Sequence, residues 1–192
     1  MFDLDGVIRH FDPAVLAKIE AKHSLEPGAL RAAAFRRKLA TAVTTGQLSR
    51  RAWVEQVGVA VGSAAAASEW LSQPGSVDAE MMDIVTELRT SGIPVAVLTN
   101  GTDTLRAELT DLNLVDAFDW LFNSADIGFT KPDRRAFEYC GAAMNVAPAT
   151  VYFTDDSVHK LSGALDIGID ATHFSGAEQC RSELEARGLL TR

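Results

Sequence analysis

The chain has 192 residues, a length that favours one core domain carrying a subdomain-sized insert. Hydrophobic residues make up 47% and charged residues 23%, as in globular proteins that bury a core. The formal net charge of −8 and the lack of an apolar run of about 20 residues argue against nucleic-acid and membrane partners. Only two cysteines occur, without metal-type spacing, which favours a cytoplasmic protein.

The first part of the chain predicts one short strand followed by helices. The strand ends at the acidic turn of residues 3–6, and strand signals are then missing over residues 12–75. Helical spacing recurs in two groups, which are Phe35, Leu39, Val43 and Trp53, Val57, Val61. Gly46 predicts a break between these helices, and Ser49 predicts the N-cap of the second. A turn over residues 73–76 closes the segment, which we predict to be an all-α cap.

Beyond residue 75 the pattern alternates between helices and strands. Helices are predicted over residues 77–88, 105–112, 137–144 and 158–165, and strands over residues 95–98, 120–122, 151–153 and 169–174. Strands that alternate with helices pair in parallel through right-handed crossovers. The fold prediction is therefore α/β, with a Rossmann-like parallel sheet flanked by helices. Residues 1–11 and 76–192 would form this catalytic core, and residues 12–75 the inserted helical cap.

Polar side chains follow the predicted strands at the points where the strands end. They are Asp3 and Asp5 after the first strand, Thr99 and Asn100 after the second, Lys131 in a loop before a later helix, and Asp155 and Asp156 after residues 151–153. Ligands of open parallel sheets bind at this edge, so we expect these groups to converge. Neighbouring carboxylates repel each other unless a cation lies among them or a proton is shared, and oxygen ligands without histidine or thiol favour Mg²⁺. Because Mg²⁺ combines few carboxylates with phosphate oxygens, the predicted partner is a small phosphorylated metabolite.

These motifs resemble those of the haloacid dehalogenase superfamily of phosphohydrolases. The matching segments are FDLDGVI, VLTNG, GFTKPD and VYFTDDS, in the family's order, with a small helical cap between the first and second. The wording of GFTKPD and DDS is similar to that of small-cap sugar-phosphate phosphatases, such as glucose-1-phosphate phosphatases. The resemblance implies a magnesium-dependent phosphatase that acts on a sugar phosphate or a similar phosphomonoester.

The resemblance also implies catalytic roles. Asp3 would attack phosphorus and become an aspartyl-phosphate, and Asp5 would protonate the leaving alcohol and later deprotonate the hydrolytic water. Thr99 and the backbone N–H of Asn100 would hold phosphate oxygens. Lys131 would bind phosphate and neutralise charge on the nucleophile and on the transferring group.

A metal site is implied as well. The side chains of Asp3 and Asp156 and the carbonyl of Asp5 would bind Mg²⁺, with Asp155 bound directly or through water. Many relatives carry an amide or a carboxylate four residues beyond the metal aspartate, where this chain has Lys160. This departure leaves open how the ion and the catalytic lysine are supported, because such partners orient metal-site groups. Lys160 could approach the substrate instead, but we expect it to be a solvated helix residue.

Other functions use similar groups. Receiver domains of signalling systems are disfavoured because their phosphoacceptor follows the acidic pair and no cap is inserted. Dehalogenases would use Asp3 on carbon, but that branch lacks an acid at position 5. A phosphomutase of the same superfamily and a non-catalytic phosphate-binding or interaction protein stay open. We expect a monomer or a weak homodimer, with Arg9 and Trp53 as candidate specificity residues.

The first strand is predicted to be short. Only Met1 and Phe2 precede Asp3, whereas a typical strand has about 5–6 residues. We therefore expect a stub between two longer strands with unsatisfied groups, and further apolar residues upstream of Met1.

Overall fold

The segment between the acidic turn and the core helices is the cap. β1 (Arg9–His10) and β2 (Ser76–Val77) pair antiparallel, so the chain leaves and re-enters the core at neighbouring points. Among residues 1–191, which the computed structural model describes, five helices lie between these strands. They are α1 (Pro13–Lys22), α2 (Ala29–Ala34), α3 (Arg37–Thr44), α4 (Arg50–Val61) and α5 (Ala64–Leu71). The all-α cap is therefore confirmed, whereas the domain limits at residues 12 and 75 stay a prediction.

Local capping sets the helix boundaries in the cap. The Ser49 hydroxyl accepts from Ala52 N at 3.2 Å, which confirms Ser49 as the N-cap of α4. The prediction that Phe35 shares a helix with Leu39 and Val43 is wrong. Phe35 caps the C-terminus of α2, and the chain is extended at the next residue before α3 begins. Because one extended residue separates the two helices, side-chain periodicity alone did not reveal the boundary.

Cap and core approach each other closely at Gly46. This residue has a φ of 72°, and a Cβ there would lie 2.3 Å from Ala125 O. Nearby, Ser124 Oγ donates to Thr44 O at 2.6 Å. The glycine thus ends α3 and also permits a backbone contact that a side chain would block. The cap's own interior is apolar, and its larger buried residues are Ile19, Leu30, Val43, Trp53, Val57 and Leu71.

Helices and strands alternate in the core, as predicted. They are α6 (Ala79–Thr90), β3 (Ala96–Thr99), α7 (Leu105–Asp111), β4 (Trp120–Asn123), α8 (Ser124–Ile127), α9 (Arg134–Met144), β5 (Tyr152–Asp155), α10 (Ser162–Leu165), β6 (Asp170–His173) and α11 (Ala177–Ala186). The predicted helix over residues 158–165 is a 3-10 turn, Val158–Leu161, followed by α10. The sequence prediction lacks α11, because its buried residues Ala177, Cys180 and Leu184 are sparse in a polar segment.

The central sheet is parallel and has the first strand in its middle. β3 pairs with β4, and β5 pairs with β6. Phe2 joins these pairs, since it bridges Val97 of β3 and Thr154 of β5. Phe2 N donates to Ala96 O at 2.9 Å, and Asp3 N donates to Thr154 O at 3.0 Å. The expected stub therefore lies between two longer strands, and Asp3 leaves it at the carboxyl edge of the sheet.

Apolar layers cover both faces of the sheet. Val97 packs in one cluster with Leu88 of α6, whereas Leu98 packs in the other cluster with Phe137 and Phe153. Burial on both faces explains why the sequence of β3 is an unbroken apolar run. Of the helices in the described part of the chain, none combines the length and the apolar character that crossing a bilayer requires.

Candidate active site

Two acidic residues at the sheet edge share one buried lysine. Lys131 Nζ lies 2.7 Å from Asp3 Oδ1 and 2.6 Å from Asp155 Oδ2, and all three side chains are buried. Leu4 N also donates to Asp3 Oδ1 at 2.7 Å. The structure thus brings together three of the predicted site residues around a single ammonium group, although they lie far apart in the sequence.

Contacts with the backbone and with an aromatic ring fix the position of Lys131. Asn100 Nδ2 donates to Lys131 O at 2.9 Å, and Lys131 N donates to Asn100 Oδ1 at 2.8 Å. The ammonium lies 5.3 Å from the centre of the Phe153 ring. Thr99 is buried at the end of β3, directly before Asn100. The side chain of Asn100 therefore positions the lysine, a role that the sequence did not indicate, while phosphate binding by Thr99 and Asn100 stays a prediction.

Asp3, Asp155 and Asp156 form an oxygen-only group suited to a hard cation. One carboxylate oxygen of each lies within 4.8 Å of the others. Gly6 has a φ of 95°, and a Cβ there would lie only 2.2 Å from Asp156 Oδ2. The absence of that Cβ lets the turn after Asp5 approach the carboxylate of Asp156. These donors fit a divalent cation of the kind that prefers oxygen ligands.

The two buried carboxyl groups have pKa values shifted in opposite directions. Burial opposes ionisation of Asp3, but the nearby charges of Lys131 and Lys160 outweigh it and hold the pKa of Asp3 below its ordinary value. For Asp155, burial is the larger effect, and with the charge of Asp3 it raises the pKa to about 6 against the attraction of Lys131. Asp3 is therefore the more strongly ionised of the pair, as a carboxylate nucleophile must be.

The expectation that Lys160 is solvated is wrong. Its side chain is 27% exposed, and Nζ lies 3.2 Å from Asp3 Oδ2, 3.5 Å from Asp155 Oδ1 and 3.8 Å from Asp156 Oδ1. These are the three carboxylates that could hold a cation. A helical pattern places the Cα of a lysine but not the end of its flexible side chain, so the sequence could not reveal this contact.

We expect the variant Lys160→Met to bind Mg²⁺ about tenfold more tightly, because the ammonium repels a divalent ion at the same carboxylates. Titration calorimetry with Mg²⁺ measures the change directly and does not require turnover. Lys18→Met is the matched control, since Lys18 is exposed on α1. Unchanged or weaker Mg²⁺ binding by Lys160→Met would show that the ammonium does not compete with the ion.

An ion-pair network links Asp5 to the cap. Arg9 Nε donates to Asp5 Oδ1 at 2.6 Å, and Arg9 Nη1 donates to Glu108 Oε2 at 2.9 Å. Arg50, at the start of α4, places Nη1 3.1 Å from Glu108 Oε1. Burial opposes ionisation of Glu108, but a hydrogen bond from Thr104 and the charge of Arg50 hold its pKa below the ordinary value. Sequence patterns did not indicate Glu108, which lies 99 residues from Arg9 and outside every motif.

A cavity of about 280 Å³ lies between cap and core beside Asp5. Both candidate specificity residues, Arg9 and Trp53, line it. Arg9 is already paired with two carboxylates, so its guanidinium is less available to a ligand than the sequence suggested. The cavity therefore connects Asp5, which protonates the leaving alcohol in the predicted mechanism, with the inner surface of the cap.

Comparison with known proteins shows matches over most of the chain. The family model described as haloacid dehalogenase-like hydrolase matches residues 1–168. Validoxylamine A 7'-phosphate phosphatase from Streptomyces hygroscopicus subsp. limoneus is 25% identical over 92% of this chain and 87% of its own length. Sesquiterpene phosphatase astK from Aspergillus oryzae is 28% identical over 51% of this chain. Acyl-CoA dehydrogenase family member 10 from Mus musculus is 30% identical over 55% of this chain. These last two matches span only 50% and 10% of the relatives' own lengths.

Solved structures share the fold. A haloacid dehalogenase family enzyme from Bacteroides thetaiotaomicron, in complex with magnesium and inorganic phosphate, has a TM-score of 0.74 at 18% identity, covering 91% of this chain and 92% of its own. L-2-haloacid dehalogenase from Xanthobacter autotrophicus, with chloropropionic acid covalently bound, has a TM-score of 0.66 at 19% identity. That match covers 96% of this chain and 81% of the dehalogenase. At such identities the likeness concerns the fold alone.

Proposed function

This chain belongs to the haloacid dehalogenase-like hydrolase family, and we propose that it is a magnesium-dependent phosphatase of small phosphomonoesters that works through a phosphorylated Asp3. The observation that carries the proposal is the difference in surroundings between Asp3 and Asp5. Asp3 is buried and held ionised beside Lys131, whereas the side chain of Asp5 is half-buried, with 38% of it exposed, at the cavity. A nucleophile and a separate acid are what hydrolysis of a phosphate ester through a covalent intermediate requires.

In the proposed first step, Asp3 Oδ2 attacks phosphorus. Asp3 Oδ1 lies 2.7 Å from Lys131 Nζ and accepts from Leu4 N, whereas Oδ2 has only the longer contact of 3.2 Å with Lys160, so Oδ2 is the less tightly held oxygen. The bond from Oδ2 to phosphorus forms as the ester P–O bond breaks, and Asp5 gives its proton to the leaving alcohol. Lys131 offsets the negative charge that builds up on the transferring group.

In the second step, water attacks the phosphorus of phosphorylated Asp3. Asp5 takes the proton from this water, inorganic phosphate leaves, and the carboxylate of Asp3 is regenerated. Burial raises the pKa of Asp5 above its ordinary value, whereas the bound Arg9 opposes the shift. This balance suits a carboxyl group that must donate a proton in one step and accept one in the next.

Magnesium would be held by the carboxylates of Asp3 and Asp156, with the Asp5 carbonyl and Asp155 completing its protein ligands. When bound, it would neutralise charge on the phosphate oxygens and help to orient them. The oxygen-only donor set and the close approach of Gly6 to Asp156 support this assignment.

Release of inorganic phosphate from p-nitrophenyl phosphate, measured with added Mg²⁺ and with a chelator, tests the proposal. We expect release that requires Mg²⁺. Chloride release from 2-chloropropionate without any phosphatase activity would instead indicate the dehalogenase reaction. Conversion of one sugar phosphate into its isomer without net phosphate release would indicate a phosphomutase.

The variant Asp5→Asn should lower kcat by about 10²–10⁴-fold, because an amide can neither donate nor accept the catalytic proton. Its Mg²⁺ affinity should stay close to that of the wild type, since only the backbone carbonyl at position 5 is proposed to bind the ion. Steady-state kinetics and calorimetric titration measure the two effects separately. Loss of Mg²⁺ binding together with activity would contradict this division of roles.

A further inference from the structure

We propose that the alcohol released by this enzyme is apolar, with a size close to one ring or a short branched hydrocarbon, rather than a sugar. The inference rests on the proposed phosphatase function and specifies its substrate class. Its basis is the chemistry of the cavity of about 280 Å³ between cap and core.

The cavity lies on the leaving-group side of the reaction. Asp5, the proposed acid, lines it together with Asn100 and Gly101, which directly follow the predicted phosphate ligand Thr99. An ester whose phosphorus faces Asp3 therefore projects its alcohol into this space. The volume is just below the roughly 300–1,000 Å³ typical of pockets for drug-sized ligands, so it suits a small group.

Large aromatic and aliphatic side chains form one part of the wall, beside charged and polar residues. The aromatic lining residues are Phe11, Phe35, Trp53 and Trp70, and the larger aliphatic ones include Leu16 and Leu105. The Phe35 ring packs edge-on against Trp53 and Trp70, each at 6.4 Å between ring centres. Even so, Phe35 remains 55% exposed and Phe11 47% exposed. An apolar ligand would remove this exposed aromatic surface from water, which is favourable at about 25 cal/mol per Å².

The polar groups closest to Asp5 already have protein partners. Arg9 pairs with Asp5 and Glu108, and Arg50 pairs with Glu108 and donates to Leu71 O. The Asn100 amide donates to and accepts from the backbone of Lys131, and the indole N–H of Trp53 donates to Ala34 O at 3.1 Å. These groups have little capacity left for the hydroxyl groups of a sugar, and unpaired buried hydroxyls oppose binding.

Arg31 reinforces the aromatic wall rather than adding a polar contact. Its guanidinium carbon lies 5.5 Å from the centre of the Phe35 ring, so the cation covers part of the ring. Arg9 covers Phe11 in the same way at 5.0 Å. The cationic side chains therefore hold the rings in place at the cavity wall, which favours recognition of an apolar group by shape.

The test compares esters that differ only in the polarity of the alcohol. Cyclohexylmethyl phosphate and glucose 6-phosphate are both phosphates of a primary alcohol on a six-membered ring, so their leaving groups are alike in size and position. Benzyl phosphate adds a planar ring. We expect kcat/KM for the two apolar esters to exceed that for glucose 6-phosphate by at least about a hundredfold, since polarity mismatch in a built site produces discrimination of this order.

The variant Phe35→Ala tests whether the preference for apolar esters arises from the cavity. It should lose about tenfold in kcat/KM for the apolar esters, with little change for glucose 6-phosphate. Tyr139→Ala is the matched control, because Tyr139 is 48% exposed, packs edge-on against Phe122 and lies outside the cavity. Circular dichroism melts of both variants check that the cap stays folded.

The outcomes separate this inference from the proposed function. Equal rates for all esters, a preference for glucose 6-phosphate, or the same loss in Tyr139→Ala as in Phe35→Ala would overturn the substrate class while the phosphatase function stands. Phosphate release from none of the esters, p-nitrophenyl phosphate included, would overturn the proposed function and this inference with it.

Discussion

Replacement of the proposed nucleophile, Asp3→Asn, is expected to reduce phosphatase turnover by several orders of magnitude, the scale on which loss of a catalytic nucleophile acts. An amide has nearly the size and shape of the carboxylate but cannot form the covalent bond to phosphorus. Its carbonyl oxygen can take the place of Oδ1 beside Lys131 and Leu4 N, while the amide nitrogen loses the contact of Oδ2 with Lys160, so we expect a folded variant of somewhat lower stability. Steady-state phosphate release and circular dichroism measure activity and fold on the same preparation.

Two further measurements sharpen this experiment. Mass spectrometry of acid-quenched wild type during turnover should detect one added phosphoryl group, which the Asp3→Asn variant should lack. Asp126→Asn is the matched control, because it makes the same chemical change at an exposed site. Substantial turnover by folded Asp3→Asn would rule out the covalent mechanism, whatever the substrate.

Loss of the shared ammonium, in the variant Lys131→Met, is expected to abolish detectable turnover and to destabilise the metal-free fold by about 3–5 kcal/mol. The side chains of Asp3 and Asp155 are buried on either side of Lys131 Nζ, so its removal leaves two carboxylates without their nearest counter-charge. Removal of one partner from a buried ion pair costs more than the pair itself contributes, because desolvation of the remaining charge is no longer offset. Thermal melts in a chelator measure this loss.

The loss of stability should depend on pH and on Mg²⁺. Protonated Asp155 carries no charge, so the part of the penalty that comes from Asp155 should be small at low pH and should grow as pH rises through its raised pKa, which is about 6 even with Lys131 present. Mg²⁺ should restore part of the melting temperature by supplying positive charge to the same carboxylates. Lys18→Met should melt like the wild type, and an unchanged melting temperature for Lys131→Met in a chelator would contradict the electrostatic account.

The residues that meet at the carboxyl edge of the sheet could be predicted from the sequence, because the strand topology determines most of their positions. Asp3, Thr99 and Asp155 each end a strand or stub of the parallel sheet, and parallel strands end on the same side. The helices could also be predicted from the sequence wherever the apolar stripe was dense, as in α6. The N-cap at Ser49 could be predicted as well, because the hydrogen bond that defines it lies within one turn of helix.

The remaining features depend on contacts that no short stretch of sequence encodes. The inward direction of Lys160 is set by the charges of three carboxylates, two of them buried, rather than by helix periodicity. Arg9 and Glu108 pair although they lie far apart in the chain. In the sequence, each residue alone cannot be distinguished from an ordinary surface charge. The aromatic wall around Phe35 likewise becomes a cavity only when the cap helices fold over the core.

The position of Glu108 also bears on how a ligand could enter and leave. Any movement that swings α4 away from α7 must separate Arg50 from Glu108, yet it can leave the pair between Arg9 and Asp5 intact. The side chains of Arg50 and Glu108 are only 22% and 23% exposed, and Arg50 N also donates to Asp103 Oδ1 at 2.7 Å, so this movement breaks a largely buried contact rather than a surface ion pair. Movements of lids and domains occur on the microsecond to millisecond timescale. A cap movement of this kind would open the cavity to solvent while the charges around Asp5 stay in place.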